Sequence, residues 1–453
     1  MTAILDKYLD NLDTIQSQNF SGIVTNVVGL IIESKGPKAF VGEICNVVSE
    51  DGINKGKVEV IGFRNKFLIL MSLGRINDIK LGDRVVGESE NFVIPVGRSL
   101  LGRILNGMGE PIDGLGPLHA EEMRPVHNSP PNPLDRKRIT EQLYTGVRSI
   151  DVFNACGKGQ RTGIFAGSGV GKSVILGMIA RNTSADVNVI ALIGERGREV
   201  KEFIENDLGS EGLKRSVVVT VTSDEAALLK IKAILTANTI AEYFRDERLD
   251  VMLLVDSLSR TATAQREIGL AVGELPTTKG YTPSVFSMLP KIVERAGCNS
   301  EGSITGFYTV LVEGDEMDDP VADAVRSYLD GHIVLSRKLA LKNRFPAIDI
   351  LQSMSRLMKD ISSNDHKLLA DDVRSNLAYY EEAEDLINIG AYTKGNDPKI
   401  DRAMDVIDNL TAFMIQKIDE KSNLESDLKS LAQILRPIEL KTENISEEVQ
   451  VQT

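Results

Sequence analysis

Cysteine is scarce in this sequence, with only three among 453 residues. Cys45, Cys156 and Cys298 are widely separated and form no metal-ligand spacing. Such usage argues against a disulfide framework, and we expect all three to be reduced, buried, small apolar residues. The sequence therefore predicts a protein of a reducing compartment.

Basic residues and long apolar runs are also in short supply. The 52 Lys and Arg residues are outnumbered by 65 Asp and Glu residues, which gives a net charge of −13. This balance disfavours nucleic-acid binding by the chain as a whole, although a local basic patch remains compatible with it. The N-terminus lacks the features of a signal peptide, and no apolar run reaches the ~18 residues of a membrane span. We expect a cytoplasmic protein that is at most peripheral to a membrane.

The composition is otherwise that of a globular protein, with 42% hydrophobic and 26% charged residues. The length suggests about three domains. Apolar residues at helical spacing predict an N-terminal helical arm in residues 1–20, which either packs on its own domain or binds a partner. Short β-rich runs separated by turn residues predict a β-barrel in residues 21–94. The predicted barrel strands are Ile23–Val28, Ala39–Ile44, Lys57–Phe63 and Phe67–Met71.

Residues 95–361 are predicted to form an α/β domain with a mostly parallel sheet, entered through a turn-rich connector. Near-continuous apolar runs alternate with helical segments, which is typical of a sheet covered on both faces. The predicted strands are Thr162–Phe165, Val187–Ile193, Ser216–Thr220 and Asp250–Val255. Ligands of such sheets bind beyond the carboxyl ends of the strands. Residues 362–453 are predicted to be a helical domain, with a hairpin turn at Gly390–Pro398 and its second helix near Asp401–Ile418.

A glycine-rich turn after the first of these strands predicts a phosphate-binding loop. The segment Ile164–Ser173 runs from an apolar strand through glycines to Lys-Ser at a helix start, although Ala166 replaces the usual first glycine. Glycines allow successive backbone N–H groups to face one anion, and the helix N-terminus adds unpaired donors. Lys172 is predicted to reach the β- and γ-phosphates of a nucleotide, and the Ser173 hydroxyl to bind Mg²⁺. The predicted nucleotide-binding residues of this segment are Gly167, Ser168, Gly169, Val170, Gly171, Lys172, Ser173 and Val174. The alternative is an incidental glycine-rich turn.

Two acidic residues follow predicted strands, and we expect both to lie at the same edge of the sheet. Asp256 ends the strand Asp250–Val255, as a Walker B acid that holds Mg²⁺ would. Glu195 follows the strand that ends at Ile193, and a carboxylate there could polarise an attacking water. Glu199 is the second candidate for this base. The alternative is a solvated cluster of loop charges.

Further site residues are predicted from the chemistry that phosphoryl transfer requires. Arg196, with Arg198, would either contact phosphate or brace Glu195. Charge on the transferred phosphoryl group also favours a cation from outside the loop, and Arg356 is a candidate supplied by a neighbouring subunit. Phe345 is one possible wall of an apolar slot for adenine, although an isolated Phe is more often part of a core.

Several longer segments resemble the ATPases of flagellar protein export and type III secretion, relatives of the catalytic subunit of the rotary ATP synthase. These segments are Arg161–Ser173, Ala191–Val200, Ala264–Ala271, Gly280–Phe286 and Asp330–Arg337. The resemblance extends from about Gly22 to about Ile418. It implies a β-barrel, a RecA-like P-loop domain and a C-terminal helical domain, assembled as a homohexamer with ATP between subunits.

The same resemblance implies functions for individual residues and partners. It supports the roles given above to the loop, Asp256 and Glu195, makes Arg356 a candidate arginine finger that acts in trans, and puts Phe345 against adenine. The turn at Gly390–Pro398 would meet a central stalk protein, and the N-terminal arm would bind a dimeric regulator. The implied activity is Mg²⁺-dependent ATP hydrolysis that energises export of unfolded proteins. The export gate and cargo or chaperone complexes would be further partners.

Two alternative functions remain at this point. The first is a subunit of a rotary proton- or sodium-driven ATP synthase. The second is a RecA-like hexameric nucleic-acid translocase, which the net charge and the lack of an aromatic-basic strand surface disfavour.

Overall fold

The computed structural model describes residues 21–74, 78–88, 91–312 and 319–435. The predicted N-terminal arm and the last residues of the predicted C-terminal domain, 436–453, lie outside these residues. No helix in the described ranges combines the length and the apolar character that crossing a bilayer requires.

A closed antiparallel barrel opens the described chain, and six of the described strands form it in the order β1-β2-β5-β4-β3-β6. They are β1 (Ser21–Val28), β2 (Ile31–Lys35), β3 (Ile44–Val48), β4 (Asn54–Arg64), β5 (Phe67–Ser72) and β6 (Arg84–Gly87). Alternate residues such as Val47, Val58 and Leu70 fill its interior. The predicted strand Ala39–Ile44 was wrong, because Gly42 has a φ of 94° that breaks the extended run.

The connector is more structured than its turn-rich sequence indicates. It contains β7 (Val93–Val96), β8 (Ile104–Leu105), β9 (Glu122–Pro125) and β10 (Gln142–Leu143), and β11 (Cys156–Gly157) follows. β7 pairs with β9 and β10 pairs with β11. The two residues of β8 pair in parallel with Val218 and Val219, so the connector supplies one edge of the central sheet.

The central sheet contains nine of the described strands, eight of them in the order β19-β18-β12-β17-β15-β13-β14-β8, with β16 paired to β17. Its remaining strands are β12 (Arg161–Ala166), β13 (Val187–Glu195), β14 (Ser216–Thr222), β15 (Asp250–Asp256), β16 (Gly297–Cys298), β17 (Ser303–Leu311), β18 (Gly331–Leu335) and β19 (Ile348–Ser355). Only the pairings of β16 and β19 are antiparallel among the described strands of this sheet. Successive residues of β13 pack into different cores, Val189 and Ala191 into one and Ile190 and Leu192 into the other. Helices therefore cover both faces, as predicted.

The helices that cover the sheet and form the C-terminal region are α1 (Arg148–Phe153), α2 (Lys172–Asn182), α3 (Gly197–Glu202), α4 (Gly209–Lys214), α5 (Ala227–Asp246), α6 (Leu258–Val272), α7 (Pro283–Val293), α8 (Pro320–Tyr328), α9 (Arg337–Leu341), α10 (Met358–Ile361), α11 (Asn364–Asn388), α12 (Pro398–Met414) and α13 (Leu424–Ile434). The hairpin of α11 and α12 confirms the predicted helical C-terminal region. α12 begins earlier than predicted because the Asp397 side chain caps it and Pro398 occupies its first turn.

A buried ion pair joins the barrel to the central α/β domain. Lys232 on α5 donates to Glu59 on β4 at 2.9 Å, and their side chains are only 2% and 9% exposed. The Lys232 ammonium also lies 5.2 Å from the ring centre of Phe92. Burial raises the pKa of Glu59, and the nearby Lys232 opposes that shift. The barrel is thus fixed to α5 by a charge that has little access to water.

Replacing Lys232 with Met should destabilise the protein, because the Glu59 carboxyl would remain buried without its partner. Breaking one side of a buried pair costs about 3–5 kcal/mol. The matched control is Lys429→Met, which removes an exposed pair with Glu425 and should cost less than about 1 kcal/mol. Urea unfolding of both variants provides the comparison, and equal midpoints would contradict this account of the interface.

Candidate active site

The predicted phosphate-binding loop lies at the carboxyl end of β12. The strand ends at Ala166, and α2 begins at Lys172. Gly169 and Gly171 have φ angles of 77° and 93°, a backbone region in which side chains other than hydrogen are strained. The glycines at these two positions thus permit the sharp turn that leads the loop into the N-terminus of α2.

Both predicted acidic residues lie at the same edge of the sheet as this loop. β15 and β13 are neighbours, and Asp256 is in register with Leu192, three residues before Glu195. Lys172 Nζ donates to Asp256 Oδ1 at 2.5 Å and lies 3.4 Å from Glu195 Oε1. All three side chains are largely buried, with 13%, 5% and 14% exposed. The structure therefore brings Lys172, Asp256 and Glu195 into direct contact.

Burial and the neighbouring charges shift the pKa values of Lys172 and Glu195. Burial by itself lowers the pKa of Lys172, but Asp256 and Glu195 raise it overall, so the ammonium stays charged. Burial raises the pKa of Glu195, and the carboxyls of Asp256 and Glu199 raise it further against the effect of Lys172. A carboxyl with a raised pKa is a better proton acceptor than an exposed one, which suits a general base.

Thr309 is a site residue that the sequence analysis did not identify. It lies on β17, next to β15, and its hydroxyl donates to Asp256 Oδ1 at 2.7 Å. The side chain is fully buried. Both Lys172 and Thr309 therefore bind the same oxygen of Asp256. The only signal in the sequence is a polar residue inside an apolar strand, which is too common to identify a site.

The donor set at this edge fits a magnesium ion. Across the described part of the chain, no group of three or more His, Cys, Asp or Glu residues is arranged to hold a metal. Mg²⁺ does not require such a group, because it is usually bound by one or two protein oxygens together with substrate phosphates and water. The exposed Ser173 in the first turn of α2 and the carboxylate of Asp256 offer oxygen ligands of this kind.

An apolar cavity of about 260 Å³ adjoins the loop. Its lining includes Val170, Gly171, Val174, Ile175, Met178, Leu335, Phe345, Pro346, Ala347, Gln416 and Ile418. Phe345 is 41% exposed and lies close to Gly171. Gln416 belongs to the segment after α12, and its backbone N–H donates to the Phe345 carbonyl oxygen at 3.0 Å. The C-terminal region thus contributes to a cavity suited to a planar, apolar-faced group such as a base.

The other predicted site residues lie farther from Lys172 or face solvent. The side chain of Arg196 is 77% exposed and lies 3.4 Å from Glu199. Glu199 itself is 36% exposed. This contact does not join Arg196 to Lys172 or Asp256, so the structure does not bring this arginine into the buried group.

Arg356 lies at the end of the sheet opposite the loop, where β12 and β18 begin. β19 begins at Ile348, which pairs with Leu335 at the loop edge, and ends at Ser355, which pairs with Gly331. Because β19 bulges between these two pairs, their separation is set by the four residue steps from Gly331 to Leu335 on β18. Four steps of a strand span about 13 Å, which is farther than an arginine side chain reaches. The Arg356 side chain is exposed, and within the described ranges no carboxylate pairs with its guanidinium. This arginine therefore cannot act on the loop of its own chain.

Comparison with known proteins gives the same result as the geometry. Residues 146–355 match the model of the ATP synthase alpha/beta family, nucleotide-binding domain, and residues 362–433 match the T3SS EscN ATPase C-terminal domain. The Flagellum-specific ATP synthase of Bacillus subtilis (strain 168) is 50% identical, over 94% of this chain and 98% of that protein.

Two solved structures are also similar. The assembled ATPase EscN from the type III secretion system of enteropathogenic E. coli superposes with a TM-score of 0.87 at 43% identity, covering 91% of this chain and 100% of that one. EscN in complex with its central stalk EscO gives a TM-score of 0.85 at 42% identity, with coverage of 91% and 100%. The chain therefore belongs to the ATP synthase alpha/beta family and, within it, to the ATPases of flagellar and type III protein export.

Proposed function

We propose that this protein hydrolyses ATP between the subunits of a homohexamer and so energises the export of unfolded flagellar or other type III substrates. The observation that carries the proposal is the contact of Lys172 with both Asp256 and Glu195 beside the glycine loop. A buried ammonium next to two carboxylates is suited to exchange one of them for a phosphate, because phosphate oxygens offer it the same kind of partner.

Each residue of the site would contribute one part of the reaction. The loop amides and Lys172 hold the β- and γ-phosphates. Ser173 and Asp256 would hold Mg²⁺, which when bound neutralises charge on the phosphates. Lys172 then moves from Glu195 towards the phosphates, which leaves the Glu195 carboxylate able to orient and polarise the attacking water. The apolar cavity beside Phe345 takes the adenine ring.

Arg356 is proposed to complete the site of a neighbouring subunit. Two observations support action in trans: its position at the end of the sheet opposite the loop, and its exposed guanidinium, which pairs with no carboxylate in the part of the chain that the structure describes. An arginine that approaches the γ-phosphate from the next subunit would stabilise the transition-state charge. Arg196 is proposed only as a brace for Glu199 and, through it, for Glu195.

The assembly and its partners follow from the same proposal. A homohexamer gives each loop a neighbour that can supply Arg356. The turn between α11 and α12 exposes Ile389 by 75%, which supports contact with a central stalk. We place the ring in the cytoplasm at the base of the export apparatus, near the export gate and cargo or chaperone complexes. The predicted arm in residues 1–20 would bind a dimeric regulator.

Replacing Glu195 with Gln should abolish turnover without loss of nucleotide binding. Removing a positioned base lowers kcat by about 10²–10⁴-fold, whereas the loop and the apolar cavity remain intact. Phosphate release and titration with a fluorescent ATP analogue measure the two effects. The control is Glu205→Gln, because the Glu205 carboxylate is exposed and pairs with Lys201 rather than with Lys172. Near-normal turnover of the Glu195 variant would remove it as the base.

Thr309→Val should weaken Mg²⁺ binding at the site without changing the fold, because valine has nearly the same shape but cannot donate to Asp256. Loss of a hydrogen-bond partner behind a metal ligand typically costs about 10- to 100-fold in metal affinity or activity. The measurements are the Mg²⁺ concentration for half-maximal turnover and the Mg²⁺-dependent increase in ADP affinity. Thr309→Ser should restore both, and an unchanged Mg²⁺ requirement in the valine variant would contradict this role.

Arg356→Ala should eliminate turnover while ATP still binds. An arginine finger contributes about 10³–10⁵-fold to kcat. Mixed rings of this variant with Lys172→Ala protein should recover activity, because an intact loop from one chain would meet an intact arginine from the other. Mixing is done at fixed total protein, with each variant alone as the control. Rings that contain both chains yet remain inactive would exclude the trans assignment.

A further inference from the structure

An ion pair lies directly behind Arg356, at the edge of the sheet where β12 and β18 begin. Arg161, the first residue of β12, donates from Nε and Nη2 to the two oxygens of Asp330 at 3.0 and 3.1 Å. The Arg161 backbone N–H also donates to Asp330 at 3.0 Å, and the Asp330 N–H returns to the Arg161 carbonyl oxygen at 2.9 Å. Glu294 pairs with the remaining end of the same guanidinium. Two of the three guanidinium nitrogens of Arg161 thus donate to Asp330, while Nη1 is ion-paired with Glu294 and has no hydrogen-bond partner among the described residues.

The backbone of Asp330 carries this constraint to Arg356. Its carbonyl oxygen accepts the Arg356 backbone N–H at 3.0 Å. The preceding residue, Ser355, is fixed as well, because it accepts from Gln160 Nε2 at 3.1 Å and donates to the Ala155 carbonyl oxygen at 2.7 Å. The backbone at Arg356 is therefore held in place, while the Arg356 side chain stays exposed.

β18 and β19 pack closely against each other at this point. Gly331 pairs with Ser355, and a Cβ atom on Gly331 would lie 2.7 Å from the Met354 carbonyl oxygen. Only glycine permits this spacing without a shift of β19. A displacement of Asp330 would consequently move the end of β19 and the guanidinium that it carries.

We propose that the Arg161–Asp330 pair is the positioning device for Arg356, and this inference rests on the proposed action of Arg356 in trans. β12 carries Arg161 at its beginning and the phosphate-binding loop at its end. One strand therefore connects the nucleotide site of a subunit with the arginine that the subunit offers to its neighbour. β19 provides a second connection, because it runs from the cavity beside Phe345 to Arg356.

Asp330→Asn tests the proposal, because it keeps the shape of the side chain but removes the charge that holds Arg161. A misplacement of about 1 Å can cost about 10²-fold in rate, so we expect kcat to fall by that order while the affinity of the variant for ATP is unchanged. Arg161→Lys, which keeps the charge but loses the two-pronged geometry, should show a smaller fall in the same direction. Arg161→Lys also tests the proposal if the Asp330 variant fails to fold.

Mixed rings separate positioning from a merely structural role. Asp330→Asn protein has an intact loop, and Lys172→Ala protein has a correctly held Arg356, so their mixture should recover turnover. A loss of kcat that mixing does not restore would mean that Asp330 acts within its own site or on folding, and would overturn the proposal. The control is Asp113→Asn, which breaks a pair of the same kind with Arg103 near β8, at the opposite end of the strand order.

The same experiments distinguish this inference from the proposed function. Recovery in the mixture of Arg356→Ala and Lys172→Ala chains together with normal turnover of Asp330→Asn would leave the trans arginine in place and reject only the positioning role. Failure of the Arg356 mixture would reject both. Recovery in both mixtures, with Asp113→Asn fully active alone, is the result that the proposal predicts.

Discussion

The contact of Lys172 with Asp256 and Glu195 is the constraint on which the rest of the site depends. A buried ammonium must be compensated, and here two carboxylates from different strands compensate it. That requirement fixes the relative positions of α2, β15 and β13, since each supplies one of the three groups. It also prepares the site for its ligand, because phosphate oxygens can replace a carboxylate as the partner of the ammonium and so release Glu195.

The strands of the central sheet connect this site with other parts of the molecule. Thr309 on β17 restrains Asp256 from the side, and the segment after α12 closes the apolar cavity through Gln416. At the far edge of the same strands, the Arg161–Asp330 pair restrains the end of β19. The subunit therefore presents the loop and Arg356 at opposite ends of the same sheet, which suits the proposed ring in which each subunit offers its arginine to the next.

Much of this was predictable because it rests on local patterns. The glycine loop needs a particular order of strand, turn and helix, and the apolar strands before Asp256 and Glu195 are continuous enough to be recognised. The confirmed barrel, parallel sheet and helical C-terminal region follow from the same periodicities. The misplaced strand at Ala39 shows the limit, because the conformation of one glycine decided where the extended run could begin.

What the sequence did not predict depends on contacts between distant segments. The hydroxyl of Thr309, the return of Gln416 to Phe345 and the two-residue strand β8 have no local signature. A structure of the assembled protein with ADP, Mg²⁺ and aluminium fluoride would test the central claim most directly. The account predicts Glu195 of one subunit and Arg356 of the next on opposite sides of the fluoride group, with Lys172 moved away from Glu195. A fluoride group contacted by neither residue, or by Arg356 of the same chain, would contradict it.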